Sequence, residues 1–122
     1  MAPTLNRTEQ VRRELARGTV ELAVLAALDE ERRYGYELMA ILRGAGEGAS
    51  EFREGTLYPL LHRLEDAGYI AAQWETQGRA KPRKYYALTA VGREHLALLL
   101  AEWRALVVRM DALLGGSREV RT

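Results

Sequence analysis

The stretch from Glu54 to Gly68 constrains the fold of this chain more than any other segment. Its apolar residues recur every three or four positions, which predicts an amphipathic helix with one buried face. These residues are Leu57, Leu60, Leu61, Leu64 and Ala67. Because proline has no amide hydrogen to donate, Pro59 should lie in the first turn. We therefore expect the helix to begin near Gly55 or Thr56 and to end at Gly68, which reaches a left-handed conformation at little cost.

The opposite face of this predicted helix is unusual for a surface that meets only water. It presents Thr56, Tyr58, Pro59, His62 and Arg63, without a ladder of lysine and glutamate. Hydroxyl, imidazole and guanidinium groups can contact phosphates and base edges in a DNA groove. The alternative is an ordinary amphipathic surface helix, so the surrounding sequence has to decide between the two.

Two helices are predicted near the start of the chain. The first, from Thr8 to Leu15, has few apolar residues. A helix this short is not stable alone, so we expect it to pack on a partner or a neighbouring subunit. The second, from Val20 to Glu31, is apolar on nearly every face and should form the centre of the domain. We expect Thr19 to cap it.

A third helix is predicted from Tyr36 to Arg43, after a tight connection at residues 33–36. Its inward residues should be Leu38, Ile41 and Leu42. Gly44, Gly46 and Gly48 should end it in a loop. The order helix, turn, helix, loop, helix is typical of a helix-turn-helix unit.

After this unit the apolar spacing changes from about 3.6 residues to about two, which indicates strands. One strand is predicted at residues 69–77 and another at 84–88, joined by a basic tip that contains Gly78 and Pro82. The fold class is therefore mainly α with a small β-hairpin, as in a winged helix. The residues that anchor the hairpin on the helices are expected among Ile70, Trp74, Tyr86 and Leu88.

The last predicted helix begins after a Thr89 cap, runs from Ala90 to about Leu114 and ends at Gly115 and Gly116. Its length is roughly 37 Å, which exceeds the width of a small domain. An apolar stripe runs along this helix and is too long for the preceding domain to cover, so it needs a second chain. We therefore predict a two-fold homodimer; a helix folded back on its own domain is the alternative. The stripe comprises Val91, His95, Leu98, Leu99, Trp103, Leu106, Val107, Met110, Leu113 and Leu114.

Composition excludes several classes of function. The 122 residues fit one domain and include no cysteine and two histidines, His62 and His95. A disulfide framework, a thiolate metal site and a histidine metal cluster are therefore not expected, and no catalytic motif or phosphate-binding loop is recognisable. We expect no metal, no cofactor and no enzyme activity. Because no signal peptide or membrane span is recognisable, we expect a cytoplasmic location.

The charges are segregated along the chain, although the net charge is only +1. Residues 78–84 contain four cations and no anion: Arg79, Lys81, Arg83 and Lys84. A solvated basic turn is one explanation. Such a cluster at a hairpin tip favours contact with DNA as the other.

Several motifs, in the right order, closely resemble the PadR family of bacterial transcriptional regulators. They lie at residues 33–38, 54–65, 68–70 and 83–92, and the likeness extends over residues 17–114. The resemblance implies a dimeric winged helix-turn-helix protein, and from the amphipathic helix and the basic wing we predict that it binds a palindromic double-stranded DNA operator. The resemblance also implies repression of promoters that is relieved by a small molecule or a stress signal. The single C-terminal helix resembles the compact branch of the family.

The resemblance assigns DNA-facing positions to individual residues. On or near the recognition surface these are Tyr36, Thr56, Tyr58 and Arg63, and in the wing they are Arg79, Lys81, Arg83 and Lys84. The phenol of Tyr58 could meet a phosphate, and Arg63 offers a two-pronged donor. Packing in the core is the alternative for Tyr36.

Trp103 resembles the tryptophan of multidrug-binding members, in which paired tryptophans hold flat aromatic compounds at the dimer centre. The alternative is that Trp103 only packs the interface. The candidate ligand and dimer interface comprises Trp103, His95, Leu99, Leu106 and Met110. A planar aromatic effector is therefore a candidate partner.

These inferences divide the chain into four parts. They are an N-terminal extension with a short helix (1–18), a winged helix (19–89), a dimerisation helix (90–115) and a disordered tail (116–122). The rival function is a ligand-sensing or protein-interaction module whose winged helix does not bind DNA.

Overall fold

The computed structural model describes residues 6–44, 54–76 and 78–115. Over these residues the elements are α1 (Arg7–Ala16), α2 (Val20–Glu30), β1 (Arg33–Tyr34), α3 (Gly35–Gly44), α4 (Glu54–Asp66), β2 (Ile70–Glu75), β3 (Arg83–Leu88) and α5 (Ala90–Leu113). The predicted loop glycines at 46 and 48, Gly116 and the predicted disordered tail at 116–122 lie outside the described residues, as do residues 1–5.

Helices α2, α3 and α4 enclose the core, and the predicted leucine stripe of α4 is confirmed. Its four leucines are at most 5% exposed: Leu57, Leu60, Leu61 and Leu64. Ala67 does not belong to the stripe, because it follows the last helical residue and is exposed. The helix begins at Glu54, so Pro59 is its sixth residue and lies just beyond the predicted first turn. The acceptor that Pro59 leaves free is the carbonyl of Gly55, an exposed residue.

Gly68 ends α4 as predicted. Its φ of 83° is in the left-handed region, which favours glycine. The Gly68 amide donates to the Glu65 carbonyl and the Tyr69 amide donates to the Leu64 carbonyl, both at 3.0 Å. This pair of bonds is the Schellman motif, and it turns the chain from the helix directly into β2.

One local expectation for α2 is met in part, and one for α3 is wrong. Thr19 takes the N-cap position of α2 as predicted, but its hydroxyl donates to the Ala16 carbonyl at 2.8 Å, so it closes the turn after α1 and makes no side-chain cap. In α3, Met39 is buried while Ile41 is 36% exposed. Met39 lies on the same side of the helix as Leu38 and Leu42, and it takes the inward place that we expected for Ile41.

The sheet has three antiparallel strands in the order β1-β3-β2, not the predicted two. The connection at residues 33–36 contains the extra strand, in which Arg33 pairs with Tyr86 and Tyr34 pairs with Tyr85. A strand of two residues carries no periodicity, so only its pairing with β3 reveals it.

Three of the four expected anchors fix the sheet on the helices. Ile70, Tyr86 and Leu88 are at most 8% exposed. The fourth, Trp74, is 65% exposed, because it pairs with Lys84 in the part of the hairpin that leads away from the core. Trp74 is therefore part of the surface.

The long helix α5 begins as predicted, with the Thr89 hydroxyl accepting from the Gly92 amide at 2.9 Å. Its first turns pack on the domain through buried Gly92 and Leu96. Every side chain from residue 101 to 114 is exposed. No helix in the described ranges is long and apolar enough to cross a membrane.

Candidate nucleic-acid interface

The outer face of α4 projects the predicted DNA-contacting residues toward two different grooves. Tyr58 lines a groove of about 410 Å³ beside α3 and the wing. Thr56 and Arg63 line another, of about 380 Å³, beside the α1–α2 turn at Arg17 and Gly18. The structure therefore places these residues on one exposed helix face, but Tyr58 and Arg63 occupy opposite edges of it.

Aromatic side chains dominate the groove beside the wing, which we call the aromatic groove. Tyr36 is 74% exposed and stacks on Tyr34 with the ring centroids 6.3 Å apart, so Tyr36 is not a core residue. Tyr58 and Trp74 are the other exposed aromatic residues of the lining. The exposed rings offer apolar faces and hydroxyl groups to a ligand that runs between α4 and the sheet.

Tyr34 and Arg83 of this groove belong to a row of side chains that we call the aromatic ladder, in which two rings lie between two cations in the order Arg32, Tyr85, Tyr34 and Arg83. The guanidinium of Arg32 lies 4.5 Å from the ring centroid of Tyr85. Tyr85 meets Tyr34 edge to face at 5.5 Å, and the guanidinium of Arg83 lies 4.7 Å from the centroid of Tyr34. Cation–π contacts of this kind restrict the orientation of the wing cation Arg83 before any ligand arrives.

The far end of the ladder is tied to β2. Both terminal nitrogens of Arg32 donate to the carboxylate of Glu75, and the Nη2–Oε1 distance is 2.9 Å. This hydrogen bond lowers the pKa of Glu75 below its ordinary value and raises the pKa of Arg32. A two-pronged pair of this geometry links β2 to the segment before β1.

The predicted wing cations differ in their surroundings. Arg79 and Lys81 are exposed, and neither has an ion-pair partner among the residues that the structure describes. Lys84 lies 3.5 Å from a carboxylate oxygen of Glu65 and 5.4 Å from the centroid of the Tyr86 ring. Arg79 and Lys81 at the tip are therefore the cations most open to a phosphate, whereas Lys84 is partly neutralised.

Arg63 also has a carboxylate neighbour, Glu21 of α2. Their closest atoms, Nη2 and Oε1, are 3.7 Å apart. The other carboxylate oxygen of Glu21 lies 2.7 Å from Nε2 of His95 on α5. The ring of His95 stacks on Tyr69 with a centroid distance of 4.0 Å and an interplanar angle of 1°. The structure thus places His95 against its own domain, with Glu21 between it and Arg63 of α4.

The remaining predicted interface residues lie farther along α5. Leu99 packs partly on the core, whereas Leu106 and Met110 are about 40% exposed. Trp103, 41% exposed, faces α1 across a groove of about 610 Å³. The α1 side of that groove includes Arg7, Thr8, Val11, Arg12, Leu15 and Ala16. Sequence reasoning placed α1 on an unspecified partner and did not connect it with Trp103.

No metal site accompanies these surfaces in the part of the chain that the structure describes. There, no group of three His, Asp or Glu side chains is placed to hold an ion. The contacts that sequence reasoning missed are those of Glu21, Arg32, Glu75 and Tyr85, which join residues far apart in the chain. For one further surface residue, Trp74, the sequence could have indicated an exposed position, because its strand extends toward the basic hairpin tip.

Comparison with known proteins gives a consistent result. Residues 24–98 match the model of the "Transcriptional regulator PadR-like family". The transcriptional regulator Rv3488 of Mycobacterium tuberculosis is 36% identical over 105 residues, which are 85% of this chain and 91% of that protein. An uncharacterized protein of Lysinibacillus sphaericus is 30% identical over 106 residues, 87% of this chain and 97% of its own length.

Solved structures agree with these matches. The PadR family transcriptional regulator from Eggerthella lenta DSM 2243 superposes with a TM-score of 0.73 at 36% identity, covering 88% of this chain and 92% of that chain. The PadR-like transcriptional regulator from Bacillus cereus strain ATCC 14579 gives a TM-score of 0.74 at 29% identity, covering 84% and 97%. The similarity therefore spans the helical core, the sheet and much of α5.

Proposed function

This chain belongs to the PadR-like family of transcriptional regulators, and from that premise we propose that it is a dimeric, sequence-specific repressor that a small-molecule or stress signal releases from DNA. Membership makes it a DNA-binding regulator of transcription and not an enzyme. The observation that carries the finer proposal is the exposed face of α4, which lies beside the cationic wing across the aromatic groove.

In the proposed complex, α4 enters the major groove of the operator and the wing follows the adjacent backbone or minor groove. Thr56 and Arg63 lie at one edge of α4, where a hydroxyl and a guanidinium can meet base edges or phosphates. Tyr58 offers a phenol group from the other edge of α4, and Tyr36 offers one from α3 in the same groove. The wing cations Arg79, Lys81, Arg83 and Lys84 supply the charge that holds the phosphate backbone.

The dimer is proposed from the exposed apolar part of α5. Trp103, Leu106, Val107 and Met110 are each about 40% exposed along one stripe. Water contact along such a stripe is unfavourable, at roughly 25 cal/mol for each Å² of apolar surface. A second copy of α5 would cover it and place two α4 helices over two half-sites of a palindrome.

The effector site is proposed at Trp103. Its indole faces α1 across the groove of about 610 Å³, whose lining includes the apolar side chains of Val11 and Leu15. A planar aromatic compound could stack on Trp103, and in the dimer on the partner's copy as well. Titrating the fluorescence of Trp74 and Trp103 with planar compounds tests this site. Quenching that disappears in Trp103→Phe but persists in Trp74→Phe supports it, and no quenching by a broad panel favours simple packing.

Selection of bound sequences from a random DNA pool tests the repressor proposal, followed by affinity measurements over a range of salt concentrations. We expect a palindromic site whose affinity falls steeply with salt. Tyr58→Ala or Arg63→Ala should each weaken operator binding by about tenfold, within the usual cost of losing one contact. Glu94→Ala, at an exposed position on α5, is the control. A dimer without salt-dependent DNA affinity would instead support the rival sensory or protein-interaction module.

A further inference from the structure

We propose that Glu21 is a positioning residue that connects the dimerisation helix to the DNA-reading helix. One carboxylate oxygen of Glu21 orients Arg63 on α4, and the other is held by His95 on α5. This inference rests on the proposed role of Arg63 in reading DNA. It assigns to α2 a part in specificity that neither the helix-turn-helix pattern nor the wing provides.

We call Arg63, Glu21 and His95 together the Glu21 junction. The contact between Glu21 and His95 is the more rigid of its two contacts. An ionised carboxylate can only accept hydrogen bonds, so Nε2 of His95 donates to Oε2 of Glu21 at 2.7 Å. Both side chains are largely shielded, with 20% of His95 and 29% of Glu21 exposed. The parallel stack of His95 on Tyr69 fixes the plane of the imidazole. The carboxylate is therefore held in place from the α5 side.

The contact between Glu21 and Arg63 is the weaker contact of the junction. At 3.7 Å it is longer than a hydrogen bond, and the Arg63 side chain is 69% exposed. An exposed pair of this kind is weak, so a phosphate or a guanine edge can displace it. Before DNA arrives, Glu21 limits the directions in which the guanidinium points. We expect this restriction to favour the base-reading geometry over arbitrary phosphate contacts.

The first test replaces Glu21 with glutamine, which still accepts from His95 but no longer attracts Arg63 electrostatically. The expected result is about a five- to tenfold fall in the ratio of operator affinity to scrambled-DNA affinity, the size of one good base contact. Affinity for scrambled DNA should rise, because a negative charge beside the interface is lost. Glu94→Gln removes an exposed carboxylate on α5 and is the matched control, which should leave the ratio unchanged.

The second test asks whether His95 acts through Glu21. His95→Phe keeps a ring on Tyr69 but removes the donor, so the specificity ratio should fall in the same direction as in Glu21→Gln. His95→Gln restores an N–H donor and should recover part of the loss. In a double-mutant cycle, His95→Phe should have no further effect in the Glu21→Gln background. Thermal unfolding and sedimentation of each variant separate this effect from loss of the fold or the dimer.

The outcomes distinguish this inference from the proposed function. If the native chain binds no selected sequence, the repressor proposal fails. If the native chain binds its operator with steep salt dependence, but Glu21→Gln matches Glu94→Gln in specificity, Glu21 does not position Arg63. An undiminished effect of His95→Phe in the Glu21→Gln background would overturn the link through the carboxylate.

Discussion

The phenol ring of Tyr58 on α4 lies directly against Gly35, the first residue of α3. A Cβ at Gly35 would stand 2.6 Å from the Tyr58 hydroxyl oxygen and 3.0 Å from Cε1 of the ring. Real Cβ atoms essentially never approach neighbours so closely. Gly35 therefore makes room for the ring at the edge of the aromatic groove, and it sets the position of Tyr58, for which we propose a contact with DNA.

Replacing Gly35 with alanine should displace the Tyr58 ring and weaken operator binding by about three- to tenfold, which corresponds to roughly 0.7–1.4 kcal/mol. The ring can move outward, so we expect the fold to persist. Fluorescence anisotropy with a labelled operator measures the effect. Gly44→Ala is the control at the other end of α3, because nothing lies within 4 Å of a Cβ there. In a Tyr58→Ala background the Gly35 substitution should lose its effect on binding; an unchanged effect would show another cause.

The aromatic ladder yields a second prediction. Tyr34→Leu removes the ring that faces the Arg83 guanidinium at 4.7 Å, so Arg83 should sample more orientations. A cation–π contact at an exposed site contributes about 0.5–1 kcal/mol, so we expect operator affinity to fall by about two- to fivefold. Tyr34→Phe keeps the ring and is the matched control. Equal affinities of the Leu and Phe variants would mean that the ladder does not position Arg83 for DNA.

Local sequence patterns predicted the helices well because their signals lie within single turns. The leucine spacing of α4, the Thr89 cap and the stop at Gly68 each depend on residues three or four positions apart. The two residues of β1 have no such pattern, and they form a strand only because β3 lies beside them. The hairpin was therefore expected to have two strands, although a third completes the sheet.

The candidate site was predictable in its parts but not in its connections. The outer face of α4 and the basic wing segment were visible as a helical stripe and a charge cluster. The junction at Glu21 joins α2 to α5 across 74 positions of sequence. The Arg32–Glu75 pair spans 43 positions. Neither spacing carries a periodic signal, so both contacts emerge only from the packed structure.

A third prediction concerns the packing of α5 on the domain. A Cβ at buried Gly92 would overlap the carbonyl oxygen of Tyr69 and stand 2.8 Å from a Leu88 methyl carbon. The backbone oxygen cannot move aside easily, because it accepts from both the Thr89 amide and the Thr89 hydroxyl at 3.1 Å. Gly92→Ala should therefore reduce the free energy of unfolding by about 2–4 kcal/mol or prevent folding.

Gly68→Ala provides the comparison for this prediction. Nothing lies within 4 Å of a Cβ at Gly68, but its φ of 83° is unfavourable for alanine. We expect a smaller loss of about 1–2 kcal/mol, the cost of one left-handed residue. Urea unfolding followed by circular dichroism ranks the two variants. A larger loss for Gly68→Ala than for Gly92→Ala would contradict the close contact between α5 and Tyr69.

The hydrogen bond from Arg32 gives a fourth prediction, on pH. Because it lowers the pKa of Glu75 below the ordinary 4.5, the folded state binds that proton less readily than the unfolded state. The stabilisation is therefore fully present above pH 4.5 and is lost as the pH falls through the lower, folded-state value. Urea unfolding from neutral pH downward should show a shallower acid loss for Glu75→Gln than for the native chain. Parallel curves for the two proteins would mean that this pair does not contribute.

The fifth prediction tests the proposed dimer along α5. Leu106→Glu places a charge within the exposed apolar stripe, where a partner helix would have to desolvate it. We expect dimer dissociation to increase at least about tenfold, or roughly 1.4 kcal/mol, by analytical ultracentrifugation. Operator affinity should also fall, because a separate molecule then has to bind the second half-site. Val108→Glu is the matched control, since Val108 is 69% exposed and lies off the predicted stripe. If Leu106→Glu and Val108→Glu assemble equally well, the partner does not cover this stripe.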